Sequence, residues 1–250
     1  MTLQPITSDD LPVAHGFFTR AGGASSGVFA GLNCGLGSSD QRETVLINRS
    51  RVAKAMGIAP ERLANVHQTH SAKAVALDAP ADTSVGADAM VTATPGLGLG
   101  ILTADCQPVL FADAQAQVIG AAHAGWKGTL DGILEATLEA MENLGARRGA
   151  TRAVIGPAIS QRAYEVGPEF FDRFVDEAPE NARFFAGGEG DRMQFDLIGF
   201  GLERLRAAGI GSATWIGHCT YSDPDRFYSY RRSVHAREAD YGRLISVIRL

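Results

Sequence analysis

Apolar positions along this chain recur with two periods, and the segments carrying them follow one another irregularly. Over 129–144, Leu130, Ile133, Leu134, Thr137, Leu138, Met141 and Leu144 share one helical face, which Gly145 closes. The spacing predicts a second helix over 41–56, with Val45, Val52 and Met56 inward, Asp40 as N-cap and Gly57 just past the end. A third spans 197–208, with Ile198, Leu202 and Leu205 inward and Gly209 following, and a fourth covers 168–177. Short apolar runs predict strands at 14–18, 73–77, 99–102, 108–112, 118–123, 152–156, 213–217 and 244–249. Pro95-Gly96 and Gly156-Pro157 punctuate the joints. Two strands in succession, 108–112 and 118–123, precede a helix, which argues for an α+β layered sandwich over a strictly alternating order. With no linker, low-complexity tract or internal repeat, residues 1–250 read as one domain.

Composition narrows the class. An apolar content of 45% and a charged content of 20% fit an ordinary globular protein with a substantial core. The formal net charge of -5 gives no reason to expect nucleic acid or an acidic membrane as partner. No apolar run approaches the ~18 residues of a membrane span. Met1 to Leu11 lacks the basic and apolar regions of a signal peptide. Three cysteines, Cys34, Cys106 and Cys219, are too few and odd for a disulfide scaffold, so a reducing, cytoplasmic setting is expected.

Candidate chemistry centres on three soft-metal ligands, His70, Cys106 and His123, in Gln68-Thr69-His70-Ser71, Thr103-Ala104-Asp105-Cys106 and Ala121-Ala122-His123-Ala124-Gly125-Trp126. Their separations of 36 and 17 residues fit no zinc finger, so only a folded domain could bring them together. Three protein ligands leave a metal one open position, as catalytic sites do. One thiolate with two imidazoles suits zinc, with Cu(I) the competitor. Each residue alone has an ordinary alternative in the core. Asp105 fits either an acid or base beside the metal or a turn that caps its own backbone. His67 is a neighbour of the trio, and His15, His218 and His235 have no ligand-like companions.

Three further segments carry charge. Thr19 to Gly27 combines glycines, hydroxyls and Arg20, a composition suited to phosphate or carboxylate and also to a plain surface loop. Gly120 to Thr129 is not a Walker loop, because Trp126 separates Gly125 from Lys127; Lys127 still offers positive charge near His123. Arg226-Phe227-Tyr228-Ser229-Tyr230-Arg231-Arg232 fits a stacking wall for a planar substrate or an interface patch.

These blocks together resemble the multicopper polyphenol oxidase-like, or laccase domain, family, also described as peptidoglycan editing factor and as a purine nucleoside phosphorylase family. The similarity also covers His15-Gly16-Phe17 to Gly23, Gly31 to Gly35, Gly86-Ala87-Asp88-Ala89-Met90-Val91, Ile155 to Ile159 and Tyr164-Glu165-Val166. The resemblance implies a single-domain four-layer α/β/β/α sandwich with mixed sheets, and a zinc site on His70, Cys106 and His123. It implies phosphorolysis of purine nucleosides, with adenosine deamination and methylthioadenosine cleavage, so the expected partners are a small nucleoside and phosphate. Asp105, Cys106 and His123 are then the catalytic candidates, and Arg20, Asn33, Lys127 and Arg231 the substrate-binding ones. A monomer or small homo-oligomer is expected. Ser233 to Tyr241 departs from the family pattern, being longer than the segment expected before Gly242-Arg243.

Three other functions compete. A multicopper oxidase needs roughly ten histidines in His-x-His pairs, whereas this chain has six and no such pair; a single copper supporting weak phenol oxidation is a smaller version. A cysteine hydrolase would use Cys106 as nucleophile and His123 as base, suited to amide cleavage in cell-wall precursors. A purely structural zinc would need a fourth ligand, for which His67 or Asp105 is available. The His-x-Glu and Cys-x-x-Cys signatures of zinc deaminases are absent, so deamination rests on the resemblance alone.

Overall fold

Two mixed sheets lie face to face, with helices on the outer face of each, in the computed structural model, which describes residues 3–80 and 85–250. The strands in chain order are β1 (Ala14–Phe17), β2 (Leu63–Ala64), β3 (Ala74–Ala76), β4 (Ala89–Thr92), β5 (Gly98–Thr103), β6 (Gln107–Asp113) and β7 (Val118–Ala124). They continue as β8 (Arg152–Ile155), β9 (Glu165–Val166), β10 (Phe185–Gly187), β11 (Met193–Phe195), β12 (Ser212–Trp215) and β13 (Leu244–Arg249). The α-helices are α1 (Arg42–Ala55), α2 (Trp126–Asp131), α3 (Ile133–Glu142), α4 (Pro168–Glu177), α5 (Leu197–Ala207) and α6 (Tyr230–Ala236).

One sheet has the order β1-β13-β5-β2 and the other β12-β8-β6-β7-β4-β3, each combining parallel and antiparallel neighbours. Side chains alternate between faces along a strand. On β6 and β7, Leu110, Ala112, Ile119 and Ala121 therefore point between the sheets, where they meet Leu99, Ile101 and Ile248 of the smaller sheet. Val109, Phe111, Val118 and Ala122 point outward onto Ile133, Leu134, Leu138 and Met141 of α3 and Leu205 of α5. On the other side, Ile245 and Val247 of β13 pack against Val52 and Ala53 of α1. Burial of both faces explains the near-continuous apolar runs, and the layers run α/β/β/α as expected. His123 has the parity of Ile119 and Ala121, so β7 delivers its ring to the inter-sheet side at the edge of the sandwich. A third sheet, β10-β11-β9, joins α4 and α5 around Phe174, Phe195 and Phe200 to form an aromatic annex.

The predicted helix over 129–144 is two helices. It starts at Trp126 and breaks at Gly132, whose φ of 101° lies in the left-handed region that favours glycine. Gly132→Ala is accordingly expected to destabilise the fold by about 1–2 kcal/mol, measured by urea unfolding; an unchanged midpoint would show that the break is not imposed by the backbone. Asp40 is not an N-cap: Gln41 holds that position without a side-chain cap, and the Asp40 carboxylate accepts from Gln41 N (2.8 Å) and Asn33 Nδ2 (2.9 Å). Strand β4 and helix α6 lie outside every predicted element. Among the described residues no helix is long and apolar enough to cross a membrane.

Candidate metal centre

Three separate segments converge at the open edge between the sheets. His123 arrives on β7, Cys106 sits in the turn between β5 and β6, and His70 lies in the loop after β2. Their ligand atoms all lie within 4.8 Å of one another, and the two imidazole rings meet edge to face at 4.7 Å. Two residues of this region, His70 (φ 59°) and Asp105 (φ 94°), adopt left-handed backbone without being glycine. Such conformations persist only where surrounding contacts impose them.

Asp88 imposes the first. Fully buried and one residue before β4, its Oδ1 accepts from His70 N (3.0 Å) and from His123 Nδ1 (2.8 Å). Its Oδ2 accepts from Thr69 N (3.1 Å), Ser71 N (2.7 Å) and Ser71 Oγ (2.8 Å). One carboxylate thus shapes the His70 loop, orients the His123 ring and leaves His123 Nε2 free to bind, the arrangement by which metal sites fix their histidines. Asp88 was not among the residues singled out from sequence; it appeared only inside the Gly86-Ala87-Asp88-Ala89 block.

The charges favour a Cys106 thiolate paired with a His123 imidazolium, so a metal would take the place of the proton on His123 Nε2. Burial raises the Cys106 thiol, but the His123 charge and hydrogen bonds from both histidines outweigh it and bring it down to about 7. Burial lowers His123, and the Cys106 thiolate with the Asp88 carboxylate reverses this, raising it to about 9. Burial works against ionised Asp88 too, yet His123 and Ser71 hold its carboxyl far below the usual range. Gly125 keeps the cup clear: a Cβ there would come within 2.9 Å of Cys106 Sγ and 3.3 Å of His70 Cδ2. A soft donor set of this size, with a buried carboxylate behind it, fits a metal ion with an open position.

The trio stands where two cavities meet, and His70, Ala104 and Cys106 line both. The first, of about 430 Å³, is walled by Arg42, Arg49, Gln68, Thr103, Tyr241 and Arg243. The second, of about 590 Å³, is walled by Trp126, Tyr164, Glu169, Phe170, Tyr230 and Arg231.

The remaining candidates are dispersed. Arg231 lines the second cavity, donating to Glu165 O (2.6 Å) and lying over the Tyr164 ring. Asp105 lines it too, but its carboxylate accepts from Thr220 Oγ1 (2.6 Å), Ser229 Oγ (2.9 Å) and Arg231 N (2.7 Å), tying the 220–231 segment to the metal-ligand turn. Arg20 is not brought to the cup; it donates to Ala30 O and Pro224 O and stacks on Tyr228 beside a separate cavity of about 100 Å³. Asn33 is fully buried, its amide held by Ser38 and Asp40. Lys127 is 51% exposed and paired with Asp131. His15 is a satisfied structural histidine between Ser8 N and Val13 O. His67 lines the first cavity and His235 the second, without joining the ligand group.

Comparison with known proteins agrees over nearly the whole chain. A family model described as multi-copper polyphenol oxidoreductase laccase matches residues 14–250. A purine nucleoside phosphorylase of Deinococcus radiodurans is 43% identical over 245 residues, 98% of this chain and 92% of that protein. One of Pseudomonas aeruginosa is 38% identical over 86% of each chain. Among solved structures, a Neisseria meningitidis protein superimposes with a TM-score of 0.88 at 34% identity, covering 100% of this chain and 99% of that one. YlmD of Geobacillus stearothermophilus reaches 0.88 at 26% identity, covering 99% and 98%.

Proposed function

The chain belongs to the family described as multi-copper polyphenol oxidoreductase laccase, and from that membership we propose that it is a zinc-dependent purine nucleoside phosphorylase that also deaminates adenosine. The relatives named as purine nucleoside phosphorylases support the reaction class. The observation that carries the reading is the shared wall: His70 and Cys106 border both a cavity rich in guanidinium groups and one lined by aromatic rings. A nucleoside phosphorylase must hold a planar base and an oxyanion on either side of one reacting carbon.

In phosphorolysis a phosphate oxygen bonds to C1′ while the C1′–N9 bond breaks, and the base leaves with the bonding pair and takes up a proton. Trp126, Tyr164, Phe170 and Tyr230 offer faces on which adenine, hypoxanthine or a methylthioadenosine base would stack. Arg231, positioned beside Tyr164, supplies a cationic edge to that cavity. His70, Cys106 and His123 would hold the zinc, which supplies Lewis acidity at its one open position. Asp88 fixes the orientation of two of these ligands. Asp105, whose oxygens already accept three donors, serves as a positioning residue that anchors the Arg231 segment.

Protein prepared without added metal is expected to retain about one zinc per chain. It is expected to convert adenosine to adenine and ribose 1-phosphate when phosphate is present, and to inosine when it is not. Turnover without any ribose 1-phosphate would remove phosphorolysis from the proposal. Full-rate turnover by metal-stripped protein would remove zinc.

A further inference from the structure

The first cavity carries an excess of positive charge that the described residues neutralise only in part. Arg42 and Arg49 lie two turns apart on one face of α1, and Arg243 reaches the same space from just before β13. Among the described residues no aspartate or glutamate lines this cavity, although the chain as a whole is acidic at -5. Among the described residues Arg42 makes no hydrogen bond or ion pair, and Arg49 donates only to the Asn65 side chain. Arg243 is partly neutralised by Asp240 (3.1 Å), donates to Tyr241 O (2.7 Å) and sits over the Tyr241 ring with its guanidinium carbon 4.0 Å from the ring centre. Burial and the neighbouring Arg42 charge both disfavour protonated Arg49, a tension that a bound anion relieves. Thr103 lines the same cavity at 3% exposure, and its hydroxyl has no partner among the described residues. A buried hydroxyl without a protein partner is satisfied when a ligand oxygen arrives.

We infer that this cavity is a phosphate subsite in which Arg42, Arg49 and Arg243 grip the oxyanion and the Thr103 hydroxyl donates to it, so that phosphate approaches the metal-ligand trio from the side opposite the aromatic cavity. The inference rests on the phosphorylase proposal for the identity of the anion, not for the existence of the site. Guanidinium forks match phosphate oxygens pairwise, and three of them converge here from two separate parts of the chain. The second cavity is a poorer place for phosphate, because Glu165 and Glu169 line it and Arg231 is already engaged with Glu165 O. Arg20 and Lys127, two of the substrate-binding candidates, are held by Pro224 and Asp131 away from both cavities. The cavity of about 430 Å³ exceeds what phosphate alone fills, so the ribose shares it.

Calorimetric titration of the metal-loaded protein with inorganic phosphate tests this without requiring turnover. Wild-type protein is expected to bind phosphate, and Arg42→Gln to bind it about ten- to a hundredfold more weakly, the loss of one charge-assisted pair. The KM for phosphate should rise in parallel while metal content and the KM for adenosine stay within about twofold. Thr103→Val, nearly isosteric, should weaken phosphate binding severalfold while leaving the melting temperature equal or higher, since it removes an unpartnered buried hydroxyl. Unchanged phosphate affinity in both variants overturns the subsite, as does a loss seen in Arg20→Gln or Lys127→Gln instead. Binding of adenosine 5′-monophosphate without inorganic phosphate also overturns it, because the cavity then takes a phosphate ester. Phosphate bound through Arg42 with no ribose 1-phosphate formed leaves the subsite standing and removes the phosphorylase proposal. Ribose 1-phosphate formed with an unaltered phosphate KM in Arg42→Gln does the reverse.

Discussion

Cys106→Ala is expected to abolish metal binding and nucleoside turnover together while the protein remains folded. The thiol sits in a turn, partly exposed, and the core is built by two sheets and their helices without it. Measured against metal-stripped wild-type protein, its removal should therefore change unfolding free energy by about 1 kcal/mol or less. The cup, by contrast, loses its one anionic ligand and is left with two imidazoles, too few to hold zinc against solvent. Lewis acidity is worth several kcal/mol to a reaction of this kind, so turnover should fall about a thousandfold or more. His70→Ala separates this account from a cysteine hydrolase. A Cys106–His123 dyad retains both its members without His70, whereas a three-ligand cup does not survive its loss. Zinc quantification by mass spectrometry beside adenosine turnover reads both variants. Activity retained in His70→Ala with no metal bound would sink the metal centre and favour the dyad.

What the sequence shows of this site follows from residue type. Soft donors are rare enough that His70, Cys106 and His123 stand out against apolar surroundings, and their segments end strands or occupy turns. Asp88 does not stand out, because a lone aspartate before a short apolar run looks the same whether it caps a turn or accepts six donors. Arg42 and Arg49 are hidden for another reason. At positions i and i+7 of a largely polar helix they resemble the solvated face, and the approach of Arg243 from the far end of the chain helps to enclose them. The same division holds for the fold. Helix 168–177 and strand 244–249 match α4 and β13 because amphipathic spacing and two-sided burial are written locally. Strand β4, four residues beside glycine and aspartate, becomes a strand through its pairing with β7 and β3, a tertiary effect no local pattern carries. The break at Gly132 escapes the periodicity of 129–144 because the apolar stripe continues across it.

Asp88→Asn should separate orientation from ligation. The substitution keeps the shape of the side chain but replaces one acceptor oxygen with a donor. Whichever oxygen is lost, at least two donors among His70 N, His123 Nδ1, Thr69 N and Ser71 N face an amide hydrogen instead of an acceptor. Breaking a buried charged network of this kind costs about 3–5 kcal/mol, which lowers Tm by roughly 10 °C in a chain of this size. The His70 loop also loses the contact that holds its left-handed backbone. Zinc affinity should then fall by about ten- to a hundredfold, the usual effect of removing a carboxylate behind a ligating histidine. Because the three ligand atoms themselves remain, excess zinc should restore much of kcat in Asp88→Asn and none in Cys106→Ala. Native zinc affinity in the asparagine variant, measured by competition with a chelator, would mean that Asp88 only supports the fold and that the His123 ring is oriented by its strand alone.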